Sequence, residues 1–168
     1  LVEAVIDAPF GALRVMTTHL EYYSPLQRGA QVERIRELHT EAAMRAIHER
    51  IRDSPDGPFR AMRRAAPAIL TADFNFRPDD PLHERLCVPF GDRVPALRDA
   101  WQECNPGVAH PPSLGLFDHE QWPGGGYCCD FIYVSEDLCP RIVGVRIDQQ
   151  SDASDHQPVL LTLNAEAR

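Results

Sequence analysis

A mixed α/β fold is expected for these 168 residues, from three features of the chain. Short apolar runs rich in β-branched residues recur along it, and turn residues separate them. A single long stretch after the second run carries apolar residues at helical spacing. Hydrophobic residues make up 43% and charged residues 25%, enough for one core and hence one domain over 1–168. No run approaches the roughly 18 apolar residues of a membrane span. The start lacks the basic opening and long apolar stretch of a signal peptide. Because Leu1 opens the chain in mid-strand, the expectation is a domain truncated at its N-terminus.

The elements follow in order. Val2 to Asp7 and Gly11 to Leu20 are β-rich, and Ala8-Pro9-Phe10-Gly11 between them signals a hairpin. Ser24 is a good N-cap and Pro25 a good first helical residue. Beyond them Leu26, Ala30, Ile35, Leu38, Ala42, Ala46 and Ile47 hold mostly helical spacing until Asp53-Ser54-Pro55-Asp56-Gly57-Pro58 ends the helix, after about seven turns. Glu33, Arg34, Arg36 and Glu37 on it read as a solvated face. Arg60, Arg63 and Arg64 read as a surface loop. Ala68 to Thr71 is a buried strand. Leu82 to Leu86 is a short helix, and Val94 to Trp101 a short helical or turn segment with Leu97, Ala100 and Trp101 as core contacts. Gln102 to Gly126, rich in Pro, Gly and His, is a long loop, and such loops tend to be functional or mobile. Asp130 to Ser135, Arg141 to Ile147 and Val159 to Leu163 close the chain as strands.

Charge and cysteine usage narrow the function classes. The net charge of −8 argues against a protein that coats nucleic acid non-specifically. All 17 basic residues are Arg, a bias typical of a GC-rich bacterial genome. Cys87, Cys104, Cys128, Cys129 and Cys139 are odd in number and lack C-x-x-C spacing, so reduced thiols in a cytoplasmic protein are expected rather than disulfides or a zinc site.

Polar residues arrive where the apolar runs stop. His19 ends the second run, and an imidazole there can bond a phosphoryl oxygen or donate a proton near neutral pH. Asp73 and Asn75 follow the central run two residues apart. If the extended backbone continues past Ala72, they reach one site together while Phe74 turns into the core; the alternative is a plain Asx-turn. Asp130 enters an apolar run where an unpartnered acid would be costly, so a cation or an imidazole is expected beside it. Asp155-His156-Gln157-Pro158 sets an acid and an imidazole at the entrance of the last strand.

Taken together, Thr18-His19-Leu20, Thr71-Ala72-Asp73-Phe74-Asn75, Asp130-Phe131-Ile132-Tyr133-Val134-Ser135 and Ser154-Asp155-His156-Gln157-Pro158, in that order, resemble the endonuclease/exonuclease/phosphatase superfamily. Arg28, Gln31 and Asp99-Ala100-Trp101 are lesser matches. The resemblance covers essentially the whole chain. It implies the C-terminal portion of a four-layer α/β sandwich, two mostly antiparallel sheets flanked by helices. It further implies a divalent-metal hydrolase of phosphate esters. Asp73 would orient or deprotonate the attacking water, and Asn75 would hold it or a phosphate oxygen. His156 would contact the scissile phosphate, oriented by Asp130. Asp155 would be a metal ligand, as would Asp73 and Asn75, and His19 a phosphate contact or proton donor. Oxygen donors without a thiolate set favour Mg²⁺ or Mn²⁺.

The chain departs from that pattern in two places. The Asn and Glu that the family's earlier half supplies at strand ends have no counterpart here, Glu3 and Glu21 being poor substitutes. Ala72 replaces a usual Gly. Two alternatives to the general phosphoesterase therefore stand: a nuclease acting on DNA or RNA, and a fragment that binds phosphorylated ligands without turnover.

Overall fold

The computed structural model describes residues 1–48 and 65–167. The helix terminus expected at 53–58 and the Arg60, Arg63, Arg64 cluster lie outside the described residues. The elements run β1 (Val2–Ala8), β2 (Gly11–His19), α1 (Pro25–His48), β3 (Ala68–Asp73), α2 (Pro81–Cys87), β4 (Leu97–Asp99), α3 (Ala100–Cys104), β5 (Asp130–Ser135), a 3₁₀ turn (Glu136–Arg141), β6 (Ile142–Ile147) and β7 (Val159–Leu163). Five strands form one sheet in the order β1-β2-β3-β5-β4, and β6 and β7 pair as a second. The expected α/β class and its two sheets are therefore present. Among the described residues no helix is long and apolar enough to cross a membrane.

Local chemistry accounts for the boundaries. The hairpin closes at Ala8 and Gly11, where a φ of 116° favours glycine. Asp80 caps α2 by accepting from the Leu82 N–H at 2.8 Å, with Pro81 next. Asp99 caps α3 the same way through Trp101 N–H at 2.8 Å. The segment Val94 to Trp101 is thus not one helical or turn piece: Leu97–Asp99 pairs with β5 before α3 begins. Three residues are too short a run to show a period of two.

Pleating sorts the residues of the large sheet between two cores. Met16, Leu70, Phe131 and Tyr133 face α1 and α2, where they meet Val32, Ile35 and Leu86. Leu13, Val15, Ile69, Ile132 and Val134 face the second sheet and meet Val145, Val159 and Leu161. The large sheet is therefore a middle layer, with helices on one face and β6-β7 on the other.

Arg36 corrects the reading of α1's polar residues as solvated. Its guanidinium is buried and donates to the carbonyls of Arg85, Leu86 and Val88 at 2.8, 3.2 and 2.8 Å, satisfying the otherwise unpaired C-terminal end of α2. Its neighbour Glu33 holds Arg85 by two bonds of 2.6 and 2.7 Å. Substituting Arg36→Ala is expected to lower stability by about 2–3 kcal/mol, because charge-assisted bonds to carbonyls are lost. Urea unfolding should show it as a lower midpoint at unchanged slope.

Candidate active site

Three strands bring their ends into one row. His19 on β2 is the register partner of Asp73 on β3, and Asp73 is the partner of Asp130 on β5. Partners on adjacent strands present side chains on the same face. That face is the one turned toward the second sheet, so the row sits at the mouth of the gap between the sheets. A cavity of ≈ 230 Å³ opens there, lined by Thr17, Thr71, Asp73, Asp130 and Gln157 among others.

His156 reaches the row from the loop before β7. Its Nδ1 donates to Asp130 Oδ2 at 2.9 Å, and its Nε2 lies 3.8 Å from Asp73 Oδ2. Asp73 Oδ2 is also 3.2 Å from His19 Nε2. One carboxylate oxygen thus faces two imidazoles. Asp130 is fixed from behind by Ser113, whose hydroxyl donates to Oδ2 at 2.7 Å and accepts the Cys129 and Asp130 backbone N–H groups at 3.0 Å each. Burial pulls the His156 pKa down, but the bond and charge of Asp130 outweigh it and raise it above the ordinary 6.5.

Asp73 and Asn75 come together by a different route from the one expected. The strand ends at Asp73, and Asn75 turns into the left-handed region with φ 53°. Its backbone N–H donates to Asp73 Oδ1 at 2.9 Å, and its side-chain amide to the Leu20 carbonyl at 2.8 Å. The extended backbone does not carry on, because asparagine tolerates this conformation and the Asx-turn satisfies its N–H. Phe74 is fully buried, as expected.

Asp155 stands apart. Its carboxylate accepts from Ser154 Oγ at 3.3 Å and lines an open cleft with Phe117 and His119. The ligand atoms that converge are those of Asp73, Cys129 and His156. Burial, with the charges of Asp130 and Asp73, pushes the Cys129 thiol far above its ordinary range, so it remains a thiol. A hard divalent cation takes oxygen ligands and keeps several waters. Asp73 Oδ2 is a donor of that kind, and the Asp155 carboxylate faces the separate cleft, outside the converging set.

Sequence reasoning missed Ser113. A serine in a proline-rich loop carries no spacing signal toward an acid 17 positions away. It also missed a wider cavity beside Asn75, ≈ 630 Å³, walled by Tyr22, Arg77, Trp122 and Tyr127. Arg77 stacks over the Tyr127 ring at 4.4 Å. Arg28 and Gln31 shape the approach: Arg28 donates to the Glu21 and Tyr22 carbonyls, and Gln31 accepts the Glu21 N–H.

No curated protein matches this chain. Among solved structures, it is similar to a mannosyl-6-phosphatase of Bacteroides thetaiotaomicron, at TM-score 0.57 and 18% identity, covering 91% of this chain and 51% of that one. It is similar to a 3′ phosphatase from Neisseria bound to product DNA hairpin, at TM-score 0.59 and 19% identity, covering 90% and 61%. It also matches the catalytic domain of Xenopus laevis APE2, at TM-score 0.56 and 17% identity, covering 90% and 49%. The chain thus spans about half to three-fifths of these structures, and at such identities they bear on the fold. The description of the Endonuclease/Exonuclease/phosphatase family matches residues 26–156, well over half of the chain. The chain belongs to the endonuclease/exonuclease/phosphatase family, whose members are hydrolases of phosphoester bonds.

Proposed function

We propose that this chain carries the phosphate-handling half of a divalent-metal-dependent hydrolase of phosphate esters. The observation that supports it most is the placing of Asp73 Oδ2 3.2 Å from His19 and 3.8 Å from a His156 whose other nitrogen is held by Asp130. A phosphate in the gap would meet an acid able to take a proton and two imidazoles able to give one. Asp73 orients or deprotonates the attacking water, with Asn75 beside it. His156, its ring fixed by Asp130 and Ser113, donates from Nε2 to a non-bridging oxygen and offsets the charge that builds there. His19, the most exposed of the set, contacts the phosphate or protonates the leaving oxygen.

Family enzymes generally use divalent metals. Asp73, Asp155 and Asn75 are the donors this chain would contribute, with Mg²⁺ or Mn²⁺ as the ion. It would neutralise phosphate charge and help generate the nucleophile. These donors make up part of such an ion's ligand set, and the chain spans only about half the length of the solved structures it is similar to.

A nuclease is the second reading. The Neisseria phosphatase is bound to a DNA hairpin, and the wider cavity with Arg77, Tyr127 and Trp122 offers stacking surfaces to a nucleotide. Hydrolysis of a phosphomonoester, bis-p-nitrophenyl phosphate and a DNA hairpin, each with Mg²⁺ or Mn²⁺, separates the readings. Turnover of the small esters with salt-insensitive binding supports the phosphoesterase. Preference for DNA with a steep salt dependence supports the nuclease. Binding without any product overturns both.

The pair of His156 with Asp130 makes a further prediction. In metal-free protein, the His156 ring is expected to titrate above 6.5 by NMR, and Asp130→Asn should bring it down. Because the folded-state value is raised, the stabilisation from this pair is fully present below about pH 6.5 and is lost as pH rises through the raised value. An unshifted ring would contradict the role given to Asp130.

A further inference from the structure

A second cluster lies on the opposite face of the large sheet, among the helices. Asp99 Oδ2 accepts from His83 Nε2 at 2.8 Å and from His110 Nε2 at 2.7 Å. Its other oxygen caps α3. All three side chains are at least 95% buried. Three ligand atoms of three different segments therefore converge in the interior: His83 from α2, Asp99 from the β4–α3 junction, His110 from the long loop.

The surroundings are buried and aromatic. Phe131 lies 5.0 Å from the His83 ring and 5.3 Å from the His110 ring, and Trp101 is 6.0 Å from His110. Burial would push the Asp99 carboxyl up, but the bonds from His110 and His83 outweigh it and hold it at about 2. An ionised acid in such a place needs positive charge beside it. Next to it, across the β4–β5 pair, is Tyr133, its ring 5.6 Å from His83. The Tyr133 hydroxyl is buried without a hydrogen-bond partner among the described residues. A buried hydroxyl left unpaired points to a group that completes the site.

We propose that His83, Asp99 and His110 bind a transition-metal ion of the zinc class, with a water in the fourth position that also partners the Tyr133 hydroxyl. Two imidazole nitrogens and one carboxylate oxygen suit zinc, not magnesium. On binding, each ring offers its Nε2 lone pair to the ion and its proton moves from Nε2 to Nδ1, so a neutral imidazole changes tautomer and loses no proton. With metal–nitrogen bonds near 2.0 Å, tetrahedral ligand atoms stand about 3.3 Å apart, so the present contacts open by only about half an ångström. The ion would tie the loop to the sheet. His110 is three residues before Ser113, which fixes Asp130 and through it His156. Asp130 and Phe131 are adjacent on β5 and face opposite sides, so the metal site and the catalytic row share one strand. This site is independent of the proposed hydrolysis.

Co²⁺ and Zn²⁺ binding tests it without recourse to activity. Titration of the metal-free protein with Co²⁺ is expected to give the intense visible absorption of a four-coordinate ion, displaced by Zn²⁺ and not by Mg²⁺. The absorption should persist in Asp73→Asn and vanish in His83→Gln and His110→Gln. Zn²⁺ at about a hundredfold excess over Kd should raise the wild-type Tm by about 5–10 °C. That arm needs no variant to fold. Absorption that survives both His variants, absorption lost with Asp73→Asn, or a wild-type Tm indifferent to Zn²⁺ would each overturn the proposal.

Discussion

His156→Ala is expected to lower kcat for phosphate-ester hydrolysis by about 10²–10³-fold, the range found when a single donor to a developing charge is removed. The ring is partly exposed and contributes little to either core, so the variant should fold and keep its Tm within a few degrees. Loss of rate without loss of structure is the signature of a group acting on the transition state. Asp130→Asn should show a smaller loss, because it alters the orientation and charge of the ring and leaves Nε2 in place. Ser113→Ala removes one of the contacts on Asp130 and should fall between Asp130→Asn and wild type. Steady-state rates of the three variants with one small ester check this order. An Asp130→Asn loss larger than that of His156→Ala would show that Asp130 acts directly on the phosphate.

The largest stability effect is expected at Phe74. It is fully buried among Phe76, Phe131 and Tyr133, with ring centroids 5.2, 5.8 and 5.1 Å away. Phe74→Ala opens a cavity in a core that spans β3, β5 and α2, and should lower stability by about 3–5 kcal/mol. Its position gives it a second consequence. Asp73 and Asn75 flank it, and the Asx-turn that joins them is anchored by that ring. Hydrolysis should therefore fall even at temperatures where the variant remains folded. Urea unfolding and rate measurement on one preparation separate the two effects. An unchanged midpoint would contradict the assigned core.

Most of the strands and the site row were legible because apolar runs end in polar residues at His19, Asp73 and Asp130. A strand end is where a side chain can leave the core and still be held by the sheet. The last strand is found at its expected bounds, Val159–Leu163. What escaped was set by contacts distant in sequence. Arg36 looks like any charged residue on an amphipathic helix, and only the packing of α2 against α1 buries it. The link between Asp73 and Asn75 depended on whether a strand continued or turned, and one left-handed residue decided it. His83 and His110 sit in unrelated segments, and the sheet joins them through Asp99. Asp99 itself was noticed as part of Asp99-Ala100-Trp101, but nothing in its neighbours announced two imidazoles.

The most direct test of the phosphoesterase assignment is hydrolysis of bis-p-nitrophenyl phosphate with Mg²⁺ or Mn²⁺ by three proteins. These are the 168-residue chain, the chain extended upstream in its natural reading frame, and the extended His156→Ala variant. The assignment predicts turnover by the extended wild type and little by the other two. Equal rates for wild type and His156→Ala, or no turnover by a folded, metal-loaded extended protein, would contradict it.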